Sequence, residues 1–191
     1  MAGDRTEESG ARLLALAGSM REASFNRRLL AVAVKAAESG GAQVDVAVLR
    51  ELALPLYDGD LEAGAGPPEA VERFKARIAA VDGLIIASPE YNHSIPGGLK
   101  NAIDWASRGP DRVFPGKAAL LLGASPGGFG AARGLPHLRQ VMAAVGVWTV
   151  PTMVTLSSAG SAFDDNGALV NENTQQQVEA AVGQLLEQLM K

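Results

Sequence analysis

Five apolar runs punctuate the chain, and most lead through a polar or glycine-rich stretch into a segment of helical period. Leu13-Leu14-Ala15-Leu16-Ala17 passes through Gly18 to Asn26 into a helical segment, Arg27 to Ala33. Gln43 to Val48 alternates at period two, the mark of a half-buried strand. Gly83 to Ser88 and Lys117 to Gly123 are almost continuously apolar, as central parallel strands covered on both faces are. Between them, Glu69 to Val81 places Val71, Phe74, Ile78 and Val81 on one helical face. Further helices are expected from about Leu99 to Ser107 and from Ala132 to Val145. Val147 to Val150 supplies the fifth strand, closed by Pro151, and Ser157 to Asn173 is expected to be loop. A last helix, Thr174 to Met190, presents Val178, Val182, Leu185 and Leu189 to the core.

Strands alternating with helices predict an α/β domain: one five-stranded parallel sheet between two helical layers. No internal repeat or linker divides the chain. Residues 1–11 are polar and are expected to form a tail, with residues 12–191 as a single domain. The connection from Arg50 to Pro68 carries Leu52, Leu54, Leu56 and Tyr57, so it is expected to pack. A connection of that length in a compact domain is expected to be functional or to lie at an interface.

Composition narrows the classes. The 191 residues are 47% hydrophobic and 20% charged, with a net charge of −4, which argues against binding nucleic acid through bulk charge. With no cysteine, thiolate metal sites, disulfides and thiol nucleophiles are excluded, and two histidines are too few for a histidine-rich metal cluster. No apolar run approaches the ~20 residues needed to span a bilayer. The polar start carries no apolar signal core, so the expectation is a cytoplasmic protein that inserts into no membrane.

The chemistry concentrates in loops that follow strands, at the carboxyl edge where open α/β sheets bind ligands. Gly18-Ser19-Met20-Arg21-Glu22-Ala23-Ser24-Phe25-Asn26 sets two hydroxyls, a guanidinium and an amide at a helix start, where unpaired N–H groups favour an anion. It is neither a P-loop nor a Gly-x-Gly-x-x-Gly dinucleotide turn, and suits a mononucleotide phosphate. Pro89 to Gly98 combines a ring, an amide and small residues that suit the edge of a flat heterocycle. Ser125 to Gly130 is glycine-rich, so its backbone can approach a ligand closely. Gly123-Ala124-Ser125-Pro126-Gly127 also matches a hydrolase nucleophile elbow on Ser125. However, no acid lies between Ser125 and His137, no histidine follows Asp164, and Pro126 lacks the N–H an oxyanion hole needs.

These loops, with Leu99-Lys100-Asn101-Ala102-Ile103-Asp104-Trp105, carry a resemblance to the NADPH-dependent FMN reductase family, which includes quinone, chromate and azo-dye reductases. It spans residues 12–190 and implies a flavodoxin-like three-layer fold with strand order 2-1-3-4-5 and non-covalent FMN. It places Ser19, Arg21, Ser24, Phe25 and Asn26 around the phosphate, and Pro89, Glu90, Tyr91 and Asn92 along the isoalloxazine. Ser125 and Gly127 fall at its pyrimidine end. The implied reaction passes electrons from NADPH or NADH through the flavin to a quinone, azo compound, metal oxyanion or flavin, with no catalytic side chain. A homodimer or homotetramer is implied too. The rival within the same fold is a non-enzymatic flavin carrier or redox sensor. Elsewhere, Asn101 and Asp104 either face the loops or serve as caps and ion pairs, and Trp105 and Trp148 are expected in the core or an interface. Arg133, His137 and Arg139 are expected on a solvated or interface face. Arg108 and Arg112 are expected to be exposed, one of them a candidate for the donor's 2′-phosphate.

Overall fold

The computed structural model describes residues 10–191; the tail expected over residues 1–11 lies mostly outside the described residues. Five parallel strands, β1 (Arg12–Ala17), β2 (Gln43–Val48), β3 (Gly83–Ala87), β4 (Ala118–Ala124) and β5 (Trp148–Leu156), form one sheet in the order β2-β1-β3-β4-β5. Six helices surround it: α1 (Phe25–Ser39), α2 (Gly59–Ala65), α3 (Glu69–Ala79), α4 (Gly97–Ala106), α5 (Gly134–Ala144) and α6 (Glu172–Leu189). This is the flavodoxin-like α/β arrangement, and its strand order reverses between β1 and β3, which opens a crevice at the carboxyl edge there.

Alternation along the central strands divides the apolar side chains between two cores. Leu13, Ala15, Ile85, Leu120 and Leu122 face α1 and α6. Leu14, Leu16, Leu84, Ile86 and Leu121 face α3, α4 and α5, where they meet Phe74, Ile78, Leu99, Leu135 and Met142. Burial on both faces explains why β3 and β4 read as unbroken apolar runs.

Two elements differ from expectation. Helix α2 lies inside the Arg50–Pro68 connection, capped by Asp58, which accepts from Asp60 N at 2.8 Å. It buries no residue and contains Gly64, so it lacks the apolar stripe that reveals a helix in sequence. Strand β5 does not stop at Pro151 but runs on to Leu156. Its register slips there: Ala119 pairs with Thr149, yet Leu121 pairs with Met153. Two extra residues bulge from this edge strand, which is where a proline without an N–H is tolerated. Arg139, expected on a solvated or interface face, donates Nη2 to the Val150 and Pro151 carbonyls at 2.7 and 2.8 Å, replacing the missing ladder partners.

Candidate functional site

The first loop, Gly18 to Ser24, leaves β1 beside β3, with Gly18 N donating to Ala87 O at 2.8 Å. Ser19 and Ser24 are buried, and both use their hydroxyl oxygens as acceptors: Ser19 Oγ from Arg21 N at 3.3 Å, Ser24 Oγ from Asn26 N at 3.2 Å. Their O–H protons therefore remain free to donate. Among the described residues, the N–H groups of Glu22, Ala23, Ser24 and Phe25 have no protein partner, nor does the Arg21 guanidinium. No acidic residue occupies the first turn of α1 to compete for its positive end. Unpaired N–H groups, two hydroxyls and a free guanidinium are the donor set of a phosphate site. Phe25 packs half-buried against the α1–α6 core, and Asn26 points at β4, where Ala124 takes both ends of its amide.

The loop after β3 turns back sharply. Tyr91 and Ser94 exchange backbone bonds of 2.9 and 3.0 Å around Asn92 (φ 49°) and His93 (φ 64°), the pattern of a type I′ turn. Tyr91 is half-exposed. The N–H groups of Glu90, Asn92 and His93 have no protein partner among the described residues. Pro89 is buried, its carbonyl accepting from Ser88 Oγ at 2.9 Å. The Glu90 carboxylate turns away to α5. It accepts from Arg133 N and Gly134 N at 2.9 Å each and from Arg133 Nε at 2.8 Å. Burial pushes this carboxyl up, but the two backbone donors and the guanidinium outweigh it and hold it below its ordinary value. Glu90 thus caps α5 from another loop, and only its backbone is left for a ligand. His137 Nδ1 adds a 3.1 Å contact to Ser94 Oγ.

The loop after β4 is closed on itself. Ser125 Oγ donates to Gly127 O at 3.2 Å and accepts from Gly130 N at 3.1 Å. The Gly127 and Ser125 carbonyls accept from Ser158 N and Ala159 N, each at 3.0 Å. A hydroxyl spent on both bonds within its own loop, with no hydrogen bond to a histidine among the described residues, is not set up as a nucleophile. The N–H groups of Gly127 and Gly128 have no protein partner among the described residues. Phe129 stands exposed, with the Arg133 guanidinium 4.0 Å from its ring centroid.

A fourth segment completes the rim. Arg50 donates Nε and Nη2 to Met20 O at 3.0 and 2.8 Å, latching the first loop from the connection after β2. That connection is itself pinned to α4. Asn101 Nδ2 and Trp105 Nε1 donate to Pro55 O at 2.8 Å each, and Tyr57 N donates to Asn101 Oδ1 at 2.8 Å. Trp105 is fully buried, and Arg108 stacks 4.6 Å from the Tyr57 centroid. Lys100 and Asp104 pair with each other at 2.7 Å. Arg50 is absent from the sequence-derived site; its cue was a cation at the carboxyl end of a strand adjoining the anion loop.

Residues 11–161 match the model of the NADPH-dependent FMN reductase family. The chain belongs to this family. An NAD(P)H-dependent FMN reductase of Pseudomonas aeruginosa is 43% identical over 174 residues, 88% of this chain and 92% of that protein. A quinone reductase of Escherichia coli is 44% identical over 131 residues, 68% of each chain. Among solved structures, a flavoenzyme NAD(P)H:(acceptor) oxidoreductase from Paracoccus denitrificans superposes with a TM-score of 0.82 at 33% identity, covering 94% of this chain and 97% of that one. Membership in the FMN reductase family is compatible with the open N–H groups, hydroxyls and guanidinium described above.

Proposed function

We infer that this protein is an FMN-dependent oxidoreductase that passes electrons from NAD(P)H to a small-molecule acceptor, with quinones the class favoured. One observation carries the reading: among the described residues, the N–H groups from Glu22 to Phe25 and the neighbouring Arg21 guanidinium have no protein partner, on the same rim as open N–H groups of the third and fourth loops. Arg21, Ser19, Ser24 and the α1 N-terminus would hold the phosphate. The backbones of Glu90, Asn92, Gly127 and Gly128 would meet the polar edge of the ring, with Pro89 and Tyr91 along it. Bound there, FMN would supply the redox chemistry between the nicotinamide and the acceptor. The protein's share is binding, orientation and a fixed field of N–H dipoles, which stabilises negative charge without reorganising. Residues 12–191 act as one FMN-binding unit in this reading.

The quinone preference rests on the names of the relatives. Exposed Met20, Leu56, Tyr91 and Phe129 on the rim support a homodimer or homotetramer. Light scattering on the purified protein tests that, and a monomer would refute it. No helix of the described residues is long and apolar enough to cross a membrane. A nicotinamide donor is a metabolite of the cell interior, which supports a cytoplasmic location, checked by fractionation.

The deciding experiment is FMN titration followed by anaerobic stopped-flow mixing with NADPH or NADH. Uptake of FMN and fast bleaching are expected. Failure to bind FMN ends the reading, and binding without bleaching transfers it to a flavin carrier.

A further inference from the structure

Asn26 is 3% exposed, and its amide is used in a specific way. Nδ2 donates to Ala124 O at 2.9 Å, and Oδ1 accepts from Ala124 N at 2.9 Å. The donor–acceptor pattern fixes which end of the amide is which. Ala124 is the last residue of β4, 98 positions along the chain. Ser88 N donates to Leu122 O at 2.8 Å, so Leu122, and by alternation Ala124, turns its backbone polar groups toward β3. The chain after Ser88 runs into Pro89, which has no N–H, and leaves the sheet. Ala124 would then keep a buried, unpaired N–H and C=O, which folded proteins avoid. A side-chain amide presents the same donor and acceptor as a peptide unit, and Asn26 stands in for the missing strand residue.

We propose that Asn26 is a positioning residue that sets the spacing between the first and fourth loops, rather than a phosphate ligand. This rests on the FMN reading above. The phosphate belongs to the first loop and the ring edge to the third and fourth, so the clamp joins the two halves of one site. Its backbone N–H is also occupied, by Ser24 Oγ, whereas the Arg21 guanidinium has no partner among the described residues.

The test compares FMN with riboflavin, which lacks the phosphate, by fluorescence titration of the wild type, Arg21→Ala and Asn26→Ala. Arg21→Ala is expected to weaken FMN about tenfold and to leave riboflavin unchanged, as loss of a charge-assisted phosphate contact does. Asn26→Ala is expected to weaken both by one common factor of about ten, because it disturbs the placement of the ring and the phosphate alike. Loss confined to FMN would make Asn26 a phosphate ligand. Unchanged affinities in the folded variant would make it a merely structural residue. Either result overturns the proposal. Amide hydrogen exchange on flavin-free wild type guards against a variant that does not fold. The Ala124 amide should be protected equally with and without inorganic phosphate, and free exchange there also overturns the clamp. If the wild type takes up no FMN, the functional reading fails while the exchange experiment still judges Asn26.

Discussion

The two rims of this sheet are built to different rules. Where helices return to strands, at the amino rim, the turns use Gly41, Gly116 and Gly146 for their positive φ angles. Polar groups there pair with one another: Arg12 N with Asp82 at 2.9 Å, Lys117 Nζ with Val81 O, Arg77 with Asp45. Burial lowers the Lys117 pKa despite nearby Asp82. At the carboxyl rim positive φ angles fall on Gly130 and also on Ala53, Asn92, His93, Ala131 and Ser158, which are all the non-glycine cases among the described residues. Each follows a strand, and N–H groups beside several of them stand open. Conformations costing about 1–3 kcal/mol persist where surrounding structure forces them, and they gather at functional sites. Among the described residues, one rim pairs these polar groups with one another; the other holds left-handed non-glycine residues and open N–H groups.

The sharpest way to break this contrast is at Gly130. Its φ is +56°, and a Cβ there would lie 2.8 Å from the Leu156 carbonyl carbon and the Ser157 nitrogen. Gly130→Ala combines a left-handed alanine with a backbone overlap, and should cost about 3 kcal/mol or more in urea denaturation. Gly41→Ala, with φ +85° and nothing within 4 Å, should cost only the conformational part, about 1–2 kcal/mol. Equal losses would remove the distinction between the rims.

Next comes Glu90, the one carboxylate of the carboxyl rim fixed by three N–H donors. Glu90→Gln should cost about 2 kcal/mol at pH 7, because charged acceptors are the stronger ones. The carboxyl is held below its ordinary value of 4.5 in the folded protein, so the folded state favours the ionised form. Its contribution is complete above that value and fades as pH falls through the lower folded one. The gap between wild type and variant should therefore narrow as the pH falls below 4.5; a gap that widens on acidification would contradict the bond network.

How much of this was visible in the residues alone follows from which interactions are local. The strands, the strand-following loops and the donor cluster of the first loop show in sequence because apolar runs, helix starts and clustered hydroxyls are contiguous. The roles of Asn26, Glu90, Arg50 and Arg139 do not. Each spends its side chain on a backbone group or helix end brought close only by the fold, 11 to 98 positions away. A motif shows that such a residue sits beside the site, but not whether it faces the ligand or holds the loop that does. Helix α2 was hidden for the opposite reason: it buries nothing, so no pattern betrays it.

A control on the other rim should give a smaller effect. Arg77 and Asp45 form a two-bond pair at 2.7 and 2.8 Å, with side-chain exposures of 32% and 47%. The hydrogen bonds from Arg77 hold the Asp45 carboxyl low. Solvent screens pairs this exposed, so a double-mutant cycle with Arg77→Ala and Asp45→Ala should give about 0.5–1 kcal/mol of coupling, shrinking in salt. Flavin affinity should not change.

The smallest stability effect, and the one that separates strain from function, is expected at His93. It holds φ 64° beside Asn92 at 49°, the central pair of the turn between Tyr91 and Ser94. A left-handed non-glycine residue costs about 1–2 kcal/mol. Glycine removes that cost but adds freedom to the unfolded chain, worth about 0.4–1 kcal/mol. The balance for His93→Gly is a gain of about 0.5 kcal/mol, read as a slightly raised urea midpoint at unchanged m. If the turn exists only to reverse the chain, flavin affinity and bleaching rate should survive the relaxation intact. If its strain holds the open N–H groups of Asn92 and His93 in place for the ring, the more stable variant should bind flavin more weakly. The comparison of the rims predicts the second result: stability and affinity moving in opposite directions at one residue.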